Sequence, residues 1–255
     1  MDLQLHMAEP KEAISLPERM ELLDELYARY GKTAGASRRL TYLRKKYSWI
    51  IVVGSVYVIK RLLDLVVVIP LLLLLSPVFL IIAALIKLTD GGDVFYMSTR
   101  VGKWGREFPF PKFRSMVLNA AEIKEALQAQ NEHGADGVTF KMKRDPRVTW
   151  IGRFMRRFSL DELPQLWCVL VGQMTLVGPR PPIPKEVAQY TLVQRRRLDA
   201  TPGLTCIWQV SGRSDIPFPE QAKLDVKYIE SQSLWLDLCL LLKTIPAVLS
   251  GRGAY

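Results

Sequence analysis

The stretch Leu65–Ile86, LVVVIPLLLLLSPVFLIIAALI, holds no charged residue. As a helix its 22 residues would measure roughly 33 Å, just enough to cross a hydrocarbon core of about 30 Å. A run that is apolar on every side could also be a buried helix of a soluble protein, but its length favours a membrane segment. It begins too far into the chain for a cleaved signal peptide and has no small-residue cleavage site. Two prolines sit inside it, Pro70 and Pro77, the second preceded by Ser76. Proline removes an amide donor and crowds the carbonyl four residues back, so it kinks or breaks a helix. The segment is therefore either a kinked span or a helix that bends and returns to its own side. Arg44, Lys45, Lys46, Lys60 and Arg61 precede it, and Lys87, Arg100, Lys103 and Arg106 follow it. Cations on both flanks give the positive-inside rule no preferred direction, which is what two cytoplasmic ends would produce.

Around this segment the chain is basic. Its 255 residues carry 35 Lys and Arg against 25 Asp and Glu, a formal charge of +10. That sign favours anionic partners without choosing among nucleic acid, lipid and phosphorylated substrates. Cys168, Cys206 and Cys239 lie far apart, which excludes a disulfide framework and a CxxC zinc site. With only His6 and His133, a histidine-rich metal site is excluded and chemistry falls to carboxylates and cations. No GxxxxGK[ST] or GxGxxG phosphate loop occurs, and no nucleic-acid-binding motif.

Three regions follow: a basic extension over 1–47, a membrane segment over 48–87 and a soluble domain over 88–255. In the first, Ser15-Leu16-Pro17-Glu18 has capping-box spacing and predicts a short docking helix through Tyr27. In the third, Val94–Tyr96 and Phe108–Phe113 read as strands around a Gly102–Arg106 turn. Helices are expected over Leu118–Gln130, Val148–Phe158, Leu163–Leu170, Lys185–Leu198, Pro219–Glu230 and Leu234–Leu249. The last fits an interfacial helix and a core helix equally well. Gly178–Pro182 reads as a rigid loop.

Several charged residues could carry chemistry. Asp161-Glu162 follows Arg153, Arg156 and Arg157, and nearby cations keep a carboxylate ionised for attack on phosphorus or for metal binding. The same pair could equally be a solvated helix face. Lys112 and Arg114 fall on one side of a strand by period-two alternation. Arg180 is bracketed by Pro179, Pro181 and Pro182, a setting that limits backbone freedom and suits a fixed guanidinium fork for phosphate. Arg213 stands on the Ser211-Gly212-Arg213 turn. Together these residues suggest a face that binds a polyanion such as a diphosphate.

From about Lys60 onward the chain resembles the bacterial sugar transferase family, the monotopic phosphoglycosyl transferases. The resemblance rests on eight ordered motifs: KRLLD at 60–64, Ser76-Pro77, KFRSM at 112–116, SLDELPQL at 159–166, LVGPRP at 176–181, TPGLT at 201–205, QVSGR at 209–213 and LDVKYI at 224–229. It implies an α/β membrane-associated fold, with a re-entrant helix broken at Ser76-Pro77 and a mostly helical catalytic domain containing a small sheet. The extra spans of larger relatives are missing, so a short form is expected. The implied reaction moves a hexose 1-phosphate from a UDP-sugar to polyprenyl phosphate and releases UMP, as the first membrane step of a glycoconjugate pathway. Asp161 would be the nucleophile that forms a phosphoaspartyl sugar, and Glu162, with Asp161, would hold Mg2+. Lys112, Arg114, Arg156, Arg180 and Arg213 would bind phosphate or nucleotide, and Asp225 would sit near the metal or the nucleotide. The implied place is the cytoplasmic face of a bacterial inner membrane. The partners are the bilayer and the two substrates, without nucleic acid, and a homodimer is allowed for. Gln173, Cys168 and Cys206 depart from the usual family residues. The competing expectation is a non-enzymatic scaffold held at the membrane by anionic lipid or a partner protein.

Overall fold

The computed structural model describes residues 36–126 and 145–250, together with Glu21, Asp24 and Glu25. The rest of the expected docking helix, and the end of the helix expected to reach Gln130, lie outside the described residues. The chain divides into two compact units, 1–59 and 60–255. In the first, Lys46 Nζ pairs with Asp24 Oδ1 at 2.6 Å. The second holds the apolar segment together with all that follows it.

Helix α1 spans Ala36–Asp90. Its part from Gly54 to Asp90 is long and apolar enough to cross a membrane. The helix does not stop at Ser76-Pro77 but runs through both residues. Pro77 has no N–H for the Leu73 carbonyl, four residues back. Ser76 Oγ donates to that same carbonyl at 2.8 Å. The Ser-Pro order thus supplies a donor where proline removes one, and the helix continues.

One face of this helix packs into the rest of the larger unit. Val68 joins Phe108, Phe110, Leu166, Val169 and Tyr228 in one core cluster. Ile82 and Ile86 join Phe113, Ile151 and Met155 in a second. Polar ties reinforce both ends. Lys60 Nζ donates to Val177 O at 2.9 Å and pairs with Asp237, Arg61 Nη2 donates to Leu170 O at 2.6 Å, and Asp64 accepts from Leu176 N at 3.0 Å and Thr175 Oγ1 at 2.7 Å. At the far end Asp90 Oδ2 accepts from Arg114 Nη1 at 2.6 Å. The opposite face leaves Leu73, Leu74, Leu80 and Leu88 exposed.

Strands β1 (Phe95–Val101) and β2 (Glu107–Phe113) form an antiparallel hairpin in which Tyr96 faces Lys112 and Arg100 faces Phe108. A short helix α2 (Ala120–Ala126) follows, and α3 (Trp150–Arg157) is capped by Thr149, whose Oγ1 accepts from Gly152 N at 3.0 Å. A Cβ at Gly152 would lie 2.0 Å from Ser115 O, so the helix start can approach the end of β2 this closely only with glycine. A 3-10 turn over Leu160–Gln165 leads into α4 (Leu166–Leu170).

A second, parallel sheet pairs β3 (Thr175–Val177) with β4 (Gly203–Thr205), two strands that were not among the expected elements. Each strand has three residues, too few for an alternation pattern to register. The pairing depends on close approach: a Cβ on Gly203 would fall 2.0 Å from Gly178 N. The polar stretch expected as one helix over 185–198 is α5 (Pro184–Ala188), α6 (Leu192–Arg195) and a 3-10 turn over Arg196–Asp199. Thr191 and Gln194 restart the chain with a capping box. After α7 (Ile207–Ser211) come α8 (Phe218–Glu230) and α9 (Leu234–Ser250). Helix α9 buries Asp237 and Leu240 and exposes Trp235, Leu238, Leu242, Ile245 and Leu249. It therefore has both the core face and the open apolar face that its sequence allowed.

Candidate active site

The cleft of about 1050 Å³ lies between the β1–β2 hairpin, the 3-10 turn and the Pro-rich loop after β3. The turn that carries the two carboxylates follows from a local backbone event. Ser159 adopts a left-handed conformation (φ 55°), ends α3 and directs the chain into Leu160–Gln165. Asp161 and Glu162 then face the cleft together.

Their surroundings differ. Glu162 is held on two sides: Oε1 accepts from Lys112 Nζ and from Arg180 Nη2, each at 2.7 Å, and Oε2 from Arg180 Nη1 at 3.4 Å. Burial raises its pKa, but Arg180 and Lys112 outweigh burial and hold it well below the usual range. Asp161 is buried and accepts no hydrogen bond among the described residues. Burial pushes its pKa up, opposed by Lys112 and reinforced by Glu162. One carboxylate is thus locked in a cation pair, while its neighbour keeps uncommitted oxygen lone pairs facing the cleft.

Arg180 is held by its loop. Pro179, Pro181 and Pro182 lack amide donors. The loop's four carbonyls instead accept from outside: Pro179 O from Gly203 N at 2.8 Å, Arg180 O from Arg197 Nη2 at 3.3 Å, Pro181 O from Arg100 Nη1 at 3.1 Å and Pro182 O from Val101 N at 2.9 Å. The guanidinium therefore projects from a backbone fixed at every residue. Burial lowers the Arg180 pKa, and Glu162 more than restores it.

The remaining expected residues separate into those at the cleft and those engaged elsewhere. Lys112, Arg156 and Arg213 line the cleft beside the two carboxylates. Arg156 Nε donates to Ser115 Oγ at 3.0 Å. Arg213 has a left-handed backbone (φ 53°), and burial lowers its pKa. Arg114 also lines the cleft, but its guanidinium closes the turn after α1 through Asp90. Asp225 does not line the cleft. It is fully buried, with Oδ2 2.9 Å from Arg197 Nε, and Arg197 Nη1 donates to Tyr190 OH at 2.6 Å. Asp225 therefore supports the loop of Arg180 through Arg197. Burial pushes its pKa up to about 6 in spite of that arginine. Arg197 was hidden in the run Arg195-Arg196-Arg197, which reads as a solvated face. Cys168 and Cys206 are buried, and burial pushes the Cys168 thiol up to about 11, so both are poor nucleophiles.

The sequence profile of the bacterial sugar transferases matches residues 55–251. This chain belongs to the bacterial sugar transferase family. Membership in a family of transferases speaks for an enzyme rather than the expected scaffold. This sugar transferase is 44% identical over 216 residues to a protein named galactosyl transferase CpsE from Streptococcus agalactiae, covering 84% of this chain and 46% of that one. It is 43% identical over 186 residues to the exopolysaccharide production protein ExoY of Rhizobium meliloti, covering 72% and 82%. To the undecaprenyl-phosphate galactose phosphotransferase of Salmonella typhimurium it is 44% identical over 203 residues, covering 77% and 42%. The chain thus spans about half the length of the streptococcal and Salmonella relatives, and most of ExoY.

Proposed function

We propose that this sugar transferase moves a sugar 1-phosphate from a UDP-sugar to a polyprenyl phosphate, with release of UMP, through a phosphoaspartyl sugar on Asp161. The observation that carries this is the unequal carboxylate pair. Glu162 is neutralised by Lys112 and Arg180, whereas Asp161 stands beside it without a hydrogen-bond donor. Lys112, Arg100, Arg156, Arg180 and Arg213 outnumber Asp161 and Glu162 along the cleft, which suits a diphosphate donor and a phosphate acceptor. The names of two relatives, a galactosyl transferase and an undecaprenyl-phosphate galactose phosphotransferase, agree with this chemistry.

Asp161 attacks the sugar-bearing phosphorus, and the bridging oxygen leaves with the nucleoside phosphate. The acceptor phosphate then attacks the same phosphorus and frees Asp161. Lys112, Arg156 and Arg180 offset the charge brought together in each step. Mg2+ fits this donor set: it takes one or two carboxylates and completes its shell with substrate phosphates and water. Asp161 would hold it through oxygens that accept no hydrogen bond among the described residues, and Glu162 would join by giving up a contact to Lys112 or Arg180; the ion would supply further neutralisation of the diphosphate. A UMP-release assay with a panel of UDP-sugars tests the proposal. One UMP per protein is expected without acceptor, and continuous release once polyprenyl phosphate is added. Absence of UMP release with every sugar would overturn it.

We also propose that α1 enters and leaves the bilayer by one face, the cytoplasmic face of a bacterial inner membrane. Lys60, Arg61 and Asp64 at one end and Asp90 at the other are tied to the same polar body. A straight span would place these two ends about 45 Å apart across the membrane and break one set of ties. The exposed apolar faces of α1 and α9 would meet lipid. Single cysteines replacing Leu62 and Leu88 in a Cys-free background should both react with an impermeant maleimide only after the inner membrane is opened. Reaction of just one of them in intact cells would sink the one-face arrangement.

A further inference from the structure

Arg100 was not among the residues expected at the site. It lies on β1, and alternate residues of that strand, Tyr96, Ser98 and Arg100, line the cleft. The guanidinium carbon stands 5.1 Å from the centre of the Phe110 ring. Nη1 holds the Pro181 carbonyl, which uses one of five donors. Nε is buried and has no acceptor. No carboxylate lies within ion-pair reach of Arg100 among the described residues. Among charged groups another cation, Arg180, acts on it most strongly, ahead of Glu186 and Glu162. Burial, followed by Arg180, pushes the Arg100 pKa down to about 10.

A buried cation with an unmet donor beside a second cation is costly in an isolated protein. Holding one carbonyl does not require a charge. The cost is offset if an anion enters the cleft during turnover. The contacts also give the anion a place. Arg100 Nη1 holds the carbonyl of Pro181, the residue after Arg180, and Arg180 Nη2 donates to Glu162, the residue after Asp161. Arg180 thus links the turn of the nucleophile to Arg100.

We propose that Arg100 binds the phosphate that leaves with the nucleoside, the second phosphate of the donor's diphosphate. This rests on the transfer reaction proposed above. With the sugar-bearing phosphorus at Asp161, the diphosphate continues past Arg180 to Arg100. As an Asp161 oxygen bonds to the first phosphorus, its bond to the bridging oxygen breaks. The electron pair stays on that oxygen, and the nucleoside phosphate gains one negative charge. Arg100 and Arg180 flank the place where this charge appears, so Arg100 favours departure as well as binding.

The test measures binding of UMP and of uridine to the full-length protein in lipid nanodiscs, for wild type, Arg100→Met and Arg100→Lys. Loss of a charge-assisted contact predicts UMP affinity about tenfold to a hundredfold weaker in Arg100→Met, with uridine affinity unchanged. Arg100→Lys keeps a charge against Phe110 and loses the fork, so it should fall between and serves if the Met variant does not fold. The KM for the UDP-sugar should rise in parallel, while the KM for polyprenyl phosphate stays put. UMP affinity within threefold of wild type in both variants, or equal loss of uridine, would overturn the assignment and leave the transfer reaction standing. A wild-type protein that binds no UMP would remove both.

Discussion

Replacing Asp161 with Asn is expected to lower turnover by roughly three orders of magnitude or more, because the amide cannot form the acyl phosphate on which both steps depend. The variant should also lose the single UMP released per protein before acceptor is added. The side chain keeps its size, and the wild-type carboxylate makes no hydrogen bond that Asn would break among the described residues, so the fold should stay intact. Glu162 remains neutralised by Lys112 and Arg180 and cannot take over the attack. The measurement is UMP release from purified protein in nanodiscs, first without and then with polyprenyl phosphate. A variant that still releases one equivalent of UMP at a tenth of the wild-type rate would exclude Asp161 as the nucleophile.

The second large effect is on stability. Arg197→Met removes the partner of a fully buried carboxylate, and such a loss costs about 3–5 kcal/mol. It also takes the donor from the Arg180 carbonyl, so activity should fall alongside stability. The pH dependence has a definite sign. Asp225 has a folded pKa of about 6, above its usual unfolded value of about 3.9. Protonation therefore favours the fold, and the wild type loses stability as pH rises from about 4 to about 6. Without Arg197 the folded pKa climbs further, and the loss continues to higher pH. Urea unfolding in detergent should accordingly show a larger deficit for the variant at pH 7 than at pH 5. A deficit below about 1 kcal/mol, or one equal at both values, would mean that Arg197 does not compensate Asp225.

The sequence made some of this legible and hid the rest for physical reasons. Lys112 was visible because a strand alternates, and Arg180 because three prolines announce a fixed backbone. The roles of Asp161 and Glu162 came from the family resemblance, since a carboxylate pair after arginines looks the same on a solvated helix. The distinction between the two depends on Lys112, 50 residues away from Glu162, which no local pattern encodes. Asp225 stood in a recognisable motif but faces Arg197 rather than the cleft, because a helix position says nothing about which neighbour lies across from it. The parallel pair β3–β4 was missed because three-residue strands have no periodicity, although Gly178 and Gly203 mark the crossing. The break between α5 and α6 was readable: Thr191 and Gln194 have capping-box spacing. Arg100 could have been found by extending the β1 alternation from Tyr96 through Ser98.

Helix α1 answers to two solvents. Val68, Ile82 and Ile86 fill the protein interior, whereas Leu73, Leu74, Leu80 and Leu88 face away from it. Hydrophobicity alone satisfies the outward face, and many apolar residues are interchangeable there. The inward face requires particular shapes at particular turns, with Lys60, Arg61, Asp64 and Asp90 in register at its ends. A borrowed anchor of equal length and greasiness would hold the protein at a membrane yet leave its interior unfilled. Trimming the helix to obtain a water-soluble fragment would open the same void. In this protein, membrane attachment and folding are a single property of one segment, so neither can be engineered separately from the other.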